Sequence, residues 1–448
     1  MTVFAGKAAC LGMVVSAALA PWPVLSQETE TGRKGVFSIG IDLEAGNNVN
    51  LKSNGNGSDY RASTRLGYDY RLKTETTELT FGLSANPEFV AHEDVTAQPK
   101  LTLGFTQRSA RSELSFTADY QRSKVTDQSI AYETDGTPLY YDGTGERGLG
   151  SVTAKLTGGI DQPFVYVLGL NHSKVDYFGE TAGDQSPTRN TGATLDLRAD
   201  LSSTRQLGLS FSHRLYEVDN SAALSRRSDS ARVSLSQRIN AVTRLGFSVG
   251  HSKVESERVS GTTTVSGTTW GLSLTRDDPR GTTALSYDRS FSETGTRDDV
   301  LLSRKAETRL GKFDGSIGLT RGETGSTDVI AGLGYEMELP RDRLSLDLSR
   351  RITTNDAGED VLLTQFAGNY AHEISSVNAL NFGLTANLSE APDEKRTRVD
   401  GSISYSHDLT PEAALSAGVR LGLSKRTGLD DTDRQALFIS FDRRFETR

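Results

Sequence analysis

From Gly35 to Phe445 apolar and polar side chains alternate in short runs, and each run ends in a turn. Leu207, Leu209 and Phe211 take one phase, while Gly208, Ser210 and Ser212 take the other. Leu344, Leu346 and Leu348 alternate with Ser345, Asp347 and Ser349, and Phe382, Leu384, Ala386 and Leu388 with Gly383, Thr385 and Asn387. Successive strand side chains point to opposite faces, so each run has one greasy and one wet face. The wet face is mostly Gly, Ser, Thr, Asn, Asp and Arg. A soluble sandwich would bury the greasy face in a core. A transmembrane barrel turns it to lipid and keeps the polar face for a lumen. The many repeats of one pattern favour the barrel.

The connections alternate in length, which is a second line of support. Short turns are expected at Leu72–Thr77, Ser109–Ser112, Gly158–Gln162, Ser202–Thr204, Gly311–Lys312 and Pro340–Arg341, among others. Between them lie longer polar segments, including Ala45–Ser58, Asn86–Gln98, Ser123–Gly148, Asp176–Asn190, Glu255–Thr263 and Lys425–Thr432. Outer-membrane barrels have tight periplasmic turns and longer extracellular loops. The expected fold is therefore all-β, an antiparallel up-and-down transmembrane β-barrel of about 22 strands (roughly 18–22), with both termini in the periplasm. The longest loop carries Tyr132, Tyr140 and Tyr141, which would constrict the pore if the loop folds inward. The acidic loops suit solubility, and would also bridge to lipopolysaccharide through divalent ions.

Composition narrows the choice. Only the N-terminus, with Lys7 followed by the apolar run Ala8 to Ala20, approaches a membrane helix, and its shape is that of a secretory signal. Cleavage after Ser26 is expected, since Pro21 disfavours a cut after Ala20. Residues 1–26 then form a cleaved signal peptide, 27–34 a short periplasmic segment and 35–448 the barrel. Cys10, the only cysteine, lies inside that signal. A mature chain without cysteine has no disulfide, thiolate metal site, iron–sulfur cluster or Cys-x-x-Cys-His haem attachment.

If Leu, Phe, Val and Tyr face lipid, the opposite phase lines the lumen. Its candidate pore-lining residues are Arg61, Arg65, Asp69, Asp119, Asp196, Arg198, Arg214, Arg232, Arg309, Asp314, Glu336, Asp347 and Arg420. Arg and Asp nearly balance there, so cross-strand ion pairs that stiffen the wall are expected, with weak charge selectivity.

No catalytic, metal or cofactor-binding residue is expected, and no enzyme activity. Gly246-Phe247-Ser248-Val249-Gly250 matches the Gly-x-Ser-x-Gly pattern of serine hydrolases, but that chemistry needs a sharp strand-to-helix turn and this segment alternates like a strand. The six histidines are scattered without a His-x-x-x-His pair. No phosphate loop or dinucleotide fingerprint occurs. A formal charge of -8 without basic tracts argues against nucleic acid.

The run Ala436-Leu437-Phe438-Ile439-Ser440-Phe441-Asp442-Arg443-Arg444-Phe445 resembles the closing strand of Gram-negative outer-membrane proteins; Glu446, Thr447 and Arg448 follow its aromatic. With the signal and the strand pattern, the chain is similar to the β-barrel porins. That resemblance implies residence in the Gram-negative outer membrane, contact with lipid bilayer and lipopolysaccharide, and delivery by the barrel-assembly machinery. It also implies passive passage of small polar solutes. The alternatives are the outer-membrane component of an exopolysaccharide or other export system, with a periplasmic partner on the short turns, and a structural or lipid-modifying barrel. TonB-dependent receptors have a similar strand number but carry a plug ahead of the barrel. Gln27 to Lys34 are too few for one, so that reading is set aside as an expectation.

Overall fold

The structure, a computed structural model, describes residues 32–49, 51, 58–90, 96–125, 130–132, 138–140, 145–179, 186–219, 224–292, 294–323, 325, 327–354 and 359–447. The expected signal peptide and most of the segment 27–34 lie outside these residues, as does Tyr141. The side chains of Tyr132 and Tyr140 also lie outside them.

The described chain is a closed antiparallel β-barrel of 22 staves. Each strand pairs with its predecessor and successor, beginning with Gly32–Asn47 against Ser58–Lys73. The first strand starts at Gly32, ahead of the expected Gly35. The last strand, Thr432–Thr447, returns to pair with the first over Gly35↔Thr447 to Asn47↔Gln435. Phe37 there meets Phe445, ring centroids 6.0 Å apart. Closure leaves no free sheet edge, which a lipid environment requires because unpaired backbone groups cannot be solvated there.

One stave is built from two strands. Thr77–Ala85 and Glu88–Val90 both pair with Ser58–Lys73, and the break falls at Asn86–Pro87. Proline has no N–H to give to the ladder. Its carbonyl still accepts from Thr64 N at 2.9 Å, so the stave bends without coming apart. Within the longest loop, Ile130–Tyr132 pairs with Pro138–Tyr140 in a separate two-stranded ladder.

The turns at one end are tight. At Gly158–Gln162, Gly159 sits at φ +73, where an added Cβ would lie 2.0 Å from the Phe164 carbonyl oxygen, so glycine is required. At the other end, several segments expected as loops are strand. Thr243–Arg258 and Gly261–Asp278 remain paired out to Arg258↔Gly261, and Gly281–Ser292 with Gly295–Glu307 out to Ser292↔Gly295. These hairpins are rich in Thr, Ser and Val, which suit a pleated sheet even where no lipid faces it.

Across the middle of the barrel the apolar phase faces outward. Leu245, Phe247 and Val249 on one stave, Leu272 and Leu274 on the next, and Ile317 and Leu319 further round are all exposed large side chains. They form the lipid band, with aromatic pairs such as Trp270–Tyr287, 4.4 Å between centroids, and Tyr60–Phe89, 5.9 Å, at its margins. No core sits in the middle of the wall. The most deeply buried side chains (Val49, Leu51, Val90, Val175, Thr320, Val361, Leu363 and Ser389) all lie at the long-loop end.

Candidate functional site: the lumen wall and its outer mouth

The inward phase is held together by ion pairs laid across the staves. Arg65 and Asp442 flank Gly40 from either side in the register, and their side chains meet at 2.6 Å. Any side chain at residue 40 would collide with both, its Cβ only 2.6 Å from Asp442 Oδ1 and 2.9 Å from Arg65 Nε. A longer bridge joins Arg232 to Asp288 at 2.9 Å, passing over Gly250 and Gly271 on the two intervening staves. Small inward residues therefore leave lanes in which long charged side chains lie flat against the wall.

The densest network spans the seam where the barrel closes. Arg420, on Ala413–Arg426, reaches over the last strand to the first. It donates to Asp42 Oδ1 at 3.0 Å, to Asp42 Oδ2 at 2.9 Å and to Glu44 Oε2 at 2.7 Å. Its guanidinium lies 4.0 Å above the Phe438 ring. Arg61 closes on Glu44 from the other side and faces Glu88 at 3.9 Å. On the neighbouring staves Arg434 pairs with Asp400 at 3.0 Å and Arg398 with the same carboxylate at 2.7 Å. Glu394 takes both Arg396 and Arg426 at 2.7 Å. Asp42 and Glu44 are almost wholly withdrawn from solvent. Asp42 is bonded through both oxygens and Glu44 twice through Oε2, which makes such burial tolerable, while Glu44 Oε1 stays buried without a donor.

Above this network the polarity of the two faces inverts. On Thr243–Arg258, outward Leu245, Phe247 and Val249 give way to His251, Lys253 and Glu255, while Val254 turns inward and is buried. Phe164–Phe178 carries outward His172 and inward Val175, and Arg205–Val218 carries outward His213 and inward Tyr216 and Val218. The strands have left the lipid there: their outer face meets water and their inner face packs. The result is a packed collar inside the outer mouth, whose apolar members are Val90, Val125, Val175, Val218, Val254, Val361 and Leu363 and whose buried polar members include Arg147, Thr188, Asn190, Thr320 and Ser389. The first loop adds to it. Asn48 and Leu51 turn in left-handed conformations, φ 46 and 52, with Leu51 N donating to the Asn48 carbonyl at 2.9 Å. Leu51 is thereby pressed against the inner wall beside Gly422.

Of the expected pore-lining residues, Arg61, Arg65, Asp69, Asp119, Asp196, Arg198, Arg214, Arg232, Asp314, Glu336, Asp347 and Arg420 lie on the inward phase of their strands. Arg309 does not: it lies between the strands Gly295–Glu307 and Gly311–Gly322, in a tight turn at the rim. Arg214 donates to Asn190 at 2.9 Å, and Asp314 pairs with Lys305 at 2.9 Å. The structure brings Arg61 and Arg420 together on one carboxylate and spreads the others around the wall. Phe438 and Tyr216 depart from the expectation that aromatics face lipid. Tyr216 belongs to the collar, and Phe438 supports Arg420. The collar was missed from sequence, although Tyr216, Val218 and Val254 standing out of phase with Phe211 and Val249 is its signal.

Ser248 sits inside a paired strand, opposite Ser234 and Gly271, and has no strand-to-helix elbow. His213 bonds Asp229 at 2.6 Å on the outer face, the opposite face from Ser248. No cluster of His, Cys, Asp or Glu suited to a metal ion occurs among the described residues.

A closed antiparallel barrel with an apolar outer band, aromatic margins and a polar, ion-paired lumen defines a class: the chain is a Gram-negative outer-membrane β-barrel. No family model matches it, and no curated protein matches it in sequence. Among solved structures it is similar to the FrpB iron transporter from Neisseria meningitidis (F5-1 variant), with TM-score 0.57 and 9% identity over 91% of this chain and 82% of that one. It is also similar to a ferric enterobactin receptor mutant from Pseudomonas aeruginosa in complex with enterobactin, with TM-score 0.55 and 10% identity over 94% and 82%. The siderophore receptor PirA from the same organism gives TM-score 0.52 and 11% identity over 94% and 82%. At these identities the likeness is one of fold.

Proposed function

We propose that the protein is an outer-membrane channel through which small polar solutes pass down their gradient, entering or leaving through a mouth narrowed by the packed collar. The carrying observation is the inward phase itself: ion pairs laid flat against small residues, as at Gly40 and Gly271, leave a hydrated wall. Arg61, Arg65, Asp69, Asp119, Asp196, Arg198, Arg214, Arg232, Asp314, Glu336, Asp347 and Arg420 are its pore-lining residues in this reading. No residue performs chemistry. The wall sets size and charge preference. Phe445 and the closing strand would be read by the barrel-assembly machinery during insertion.

The test is single-channel conductance of the refolded chain in a planar bilayer. Discrete, steady steps are expected, and a correctly folded barrel that stays silent would refute the channel. A second reading has a specific observation in its favour. A collar packed inside the outer mouth suits an export barrel that opens only when a periplasmic partner docks on the tight turns. The similar structures are an iron transporter and siderophore receptors, and in this reading too the barrel moves a solute across the outer membrane. Silence alone, followed by conduction when the collar residue Leu51 is replaced by Asp, would favour it.

A further inference from the structure

We infer that the seam network beneath the collar is a binding site for an oxyanion group, a carboxylate or a phosphate, carried by the solute; this rests on the channel reading above and names its substrate class. The cations of the cluster are Arg61, Arg396, Arg398, Arg420, Arg426 and Arg434, joined by Lys124, which faces Glu88 at 3.9 Å. The carboxylates are Asp42, Glu44, Glu88, Glu394 and Asp400, with Asp59 at the rim accepting from its neighbour's backbone Tyr60 N at 2.8 Å. Cations exceed carboxylates even after Asp59 is counted. All the cations except Lys124 are arginines, whose planar fork matches carboxylate and phosphate in a bidentate manner.

Arg434 is the centre of this site. One Nη atom bonds Asp400 at 3.0 Å, the other reaches only the Val49 carbonyl at 3.5 Å, and Nε is buried without an acceptor. Arg61 Nε is likewise buried with no acceptor. A buried guanidinium with donors to spare is costly unless an acceptor reaches it. Its neighbours fix where that acceptor comes from. Asp400 is shared with Arg398, Glu44 is shared between Arg61 and Arg420, and the collar residues Val49 and Leu51 lie directly above. Glu44 Oε1 is a carboxylate oxygen of the network that is buried without a donor, but no hydrogen bond joins it to Arg434, and Arg396 and Arg426 stand nearer the mouth in the register, so a solute oxyanion reaches Arg434 after passing them. The collar also lowers the local dielectric, which strengthens an arginine–oxyanion contact. The near balance of charge along the rest of the wall leaves selection to this one level.

The experiment is the zero-current potential of the reconstituted chain in a potassium chloride gradient, for the native protein, Arg434→Gln and the outer-face control Arg321→Gln. The expected result is anion preference that shifts toward zero potential in Arg434→Gln and is unchanged in Arg321→Gln. Conduction without anion preference, or with a preference that Arg434→Gln leaves alone, overturns the anion site while the channel stands. If the chain does not conduct, the channel reading fails, and calorimetric titration of the detergent-folded protein decides the site separately. Binding of succinate or inorganic phosphate, weakened about tenfold in Arg434→Gln by loss of a charge-assisted hydrogen bond, supports it. Absence of binding by both overturns it. Which of the two binds distinguishes a carboxylated from a phosphorylated solute. Arg434→Lys, which keeps the charge and loses the fork, separates charge from geometry should Arg434→Gln fail to fold.

Discussion

Replacing Arg420 with alanine should loosen the barrel at its seam more than any surface ion pair can account for. The guanidinium is 22% exposed, while its partners Asp42 and Glu44 are 5% and 0% exposed. Three charge-assisted hydrogen bonds and the contact with Phe438 disappear together. Asp42 then stays buried with its carboxylate uncompensated, and Glu44 keeps only Arg61. Removing one partner of a buried pair costs about 3–5 kcal/mol. Water in the lumen and the surviving Arg61 pair reduce this, so a loss of about 3 kcal/mol is expected, at the lower end of that range. The assay is equilibrium unfolding by guanidinium in detergent micelles, followed by tryptophan fluorescence and by the mobility shift of unheated samples on denaturing gels. The double variant Arg420→Met, Asp42→Asn, which leaves the Arg61–Glu44 pair in place, should recover much of the loss, because the cost lies in stranded charge rather than in missing contacts. A loss below about 1 kcal/mol, the worth of an exposed pair, with no recovery in the double variant would refute the reasoning.

Gly271→Leu should destabilise by about 1–3 kcal/mol, since its Cβ would lie 2.8 Å from Asp288 Oδ1 and 2.9 Å from Ser248 Oγ and would break the Arg232 bridge; Gly401→Leu, whose Cβ meets nothing nearer than 3.9 Å, should be close to neutral in the same unfolding assay. Leu51→Asp places a charge in the collar and should enlarge the single-channel step. An unchanged step would mean that this loop does not narrow the mouth. Leu272→Arg, opposite Phe247 in the middle of the lipid band, should cost about 2–4 kcal/mol, whereas Ser210→Arg on the lumen phase should fold normally and change only ion preference. Ser248→Ala should leave conductance and stability unchanged, and loss of an esterase activity in that variant would revive the lipid-modifying alternative.

The barrel was legible because lipid enforces a single rule over its thickness. Wherever a stave crosses the bilayer, as at Leu245–Phe247–Val249 or Leu344–Leu346–Leu348, the outward position must be apolar and the inward one need only be wet. That rule repeats at period two and fixes register, face and closure together. It stops where the lipid stops. Beyond Val249 the outward position becomes His251 and Lys253, and the inward position becomes Val254, so the same alternation continues with the opposite meaning. A reading that assigns faces by hydrophobicity alone therefore puts Tyr216 and Phe438 on the wrong side, and treats the paired hairpin Glu255–Thr263 as a loop. The candidate site was partly visible for the same reason. Arg61 and Arg420 could be placed on the lumen phase from their spacing, but nothing local to either residue says that they share Glu44. That meeting depends on the last strand closing against the first, a relation between positions 376 residues apart in the Arg420–Glu44 pair, as in the Arg65–Asp442 pair 377 apart. Period-two patterning determines which way a side chain points and leaves its partner across the seam to the closure of the whole sheet. The inversion of phase at the outer ends is consequently the most useful local clue in such chains. Where the apolar residues change phase without a break in alternation, the strand has left the membrane, and the inward apolar positions mark the mouth.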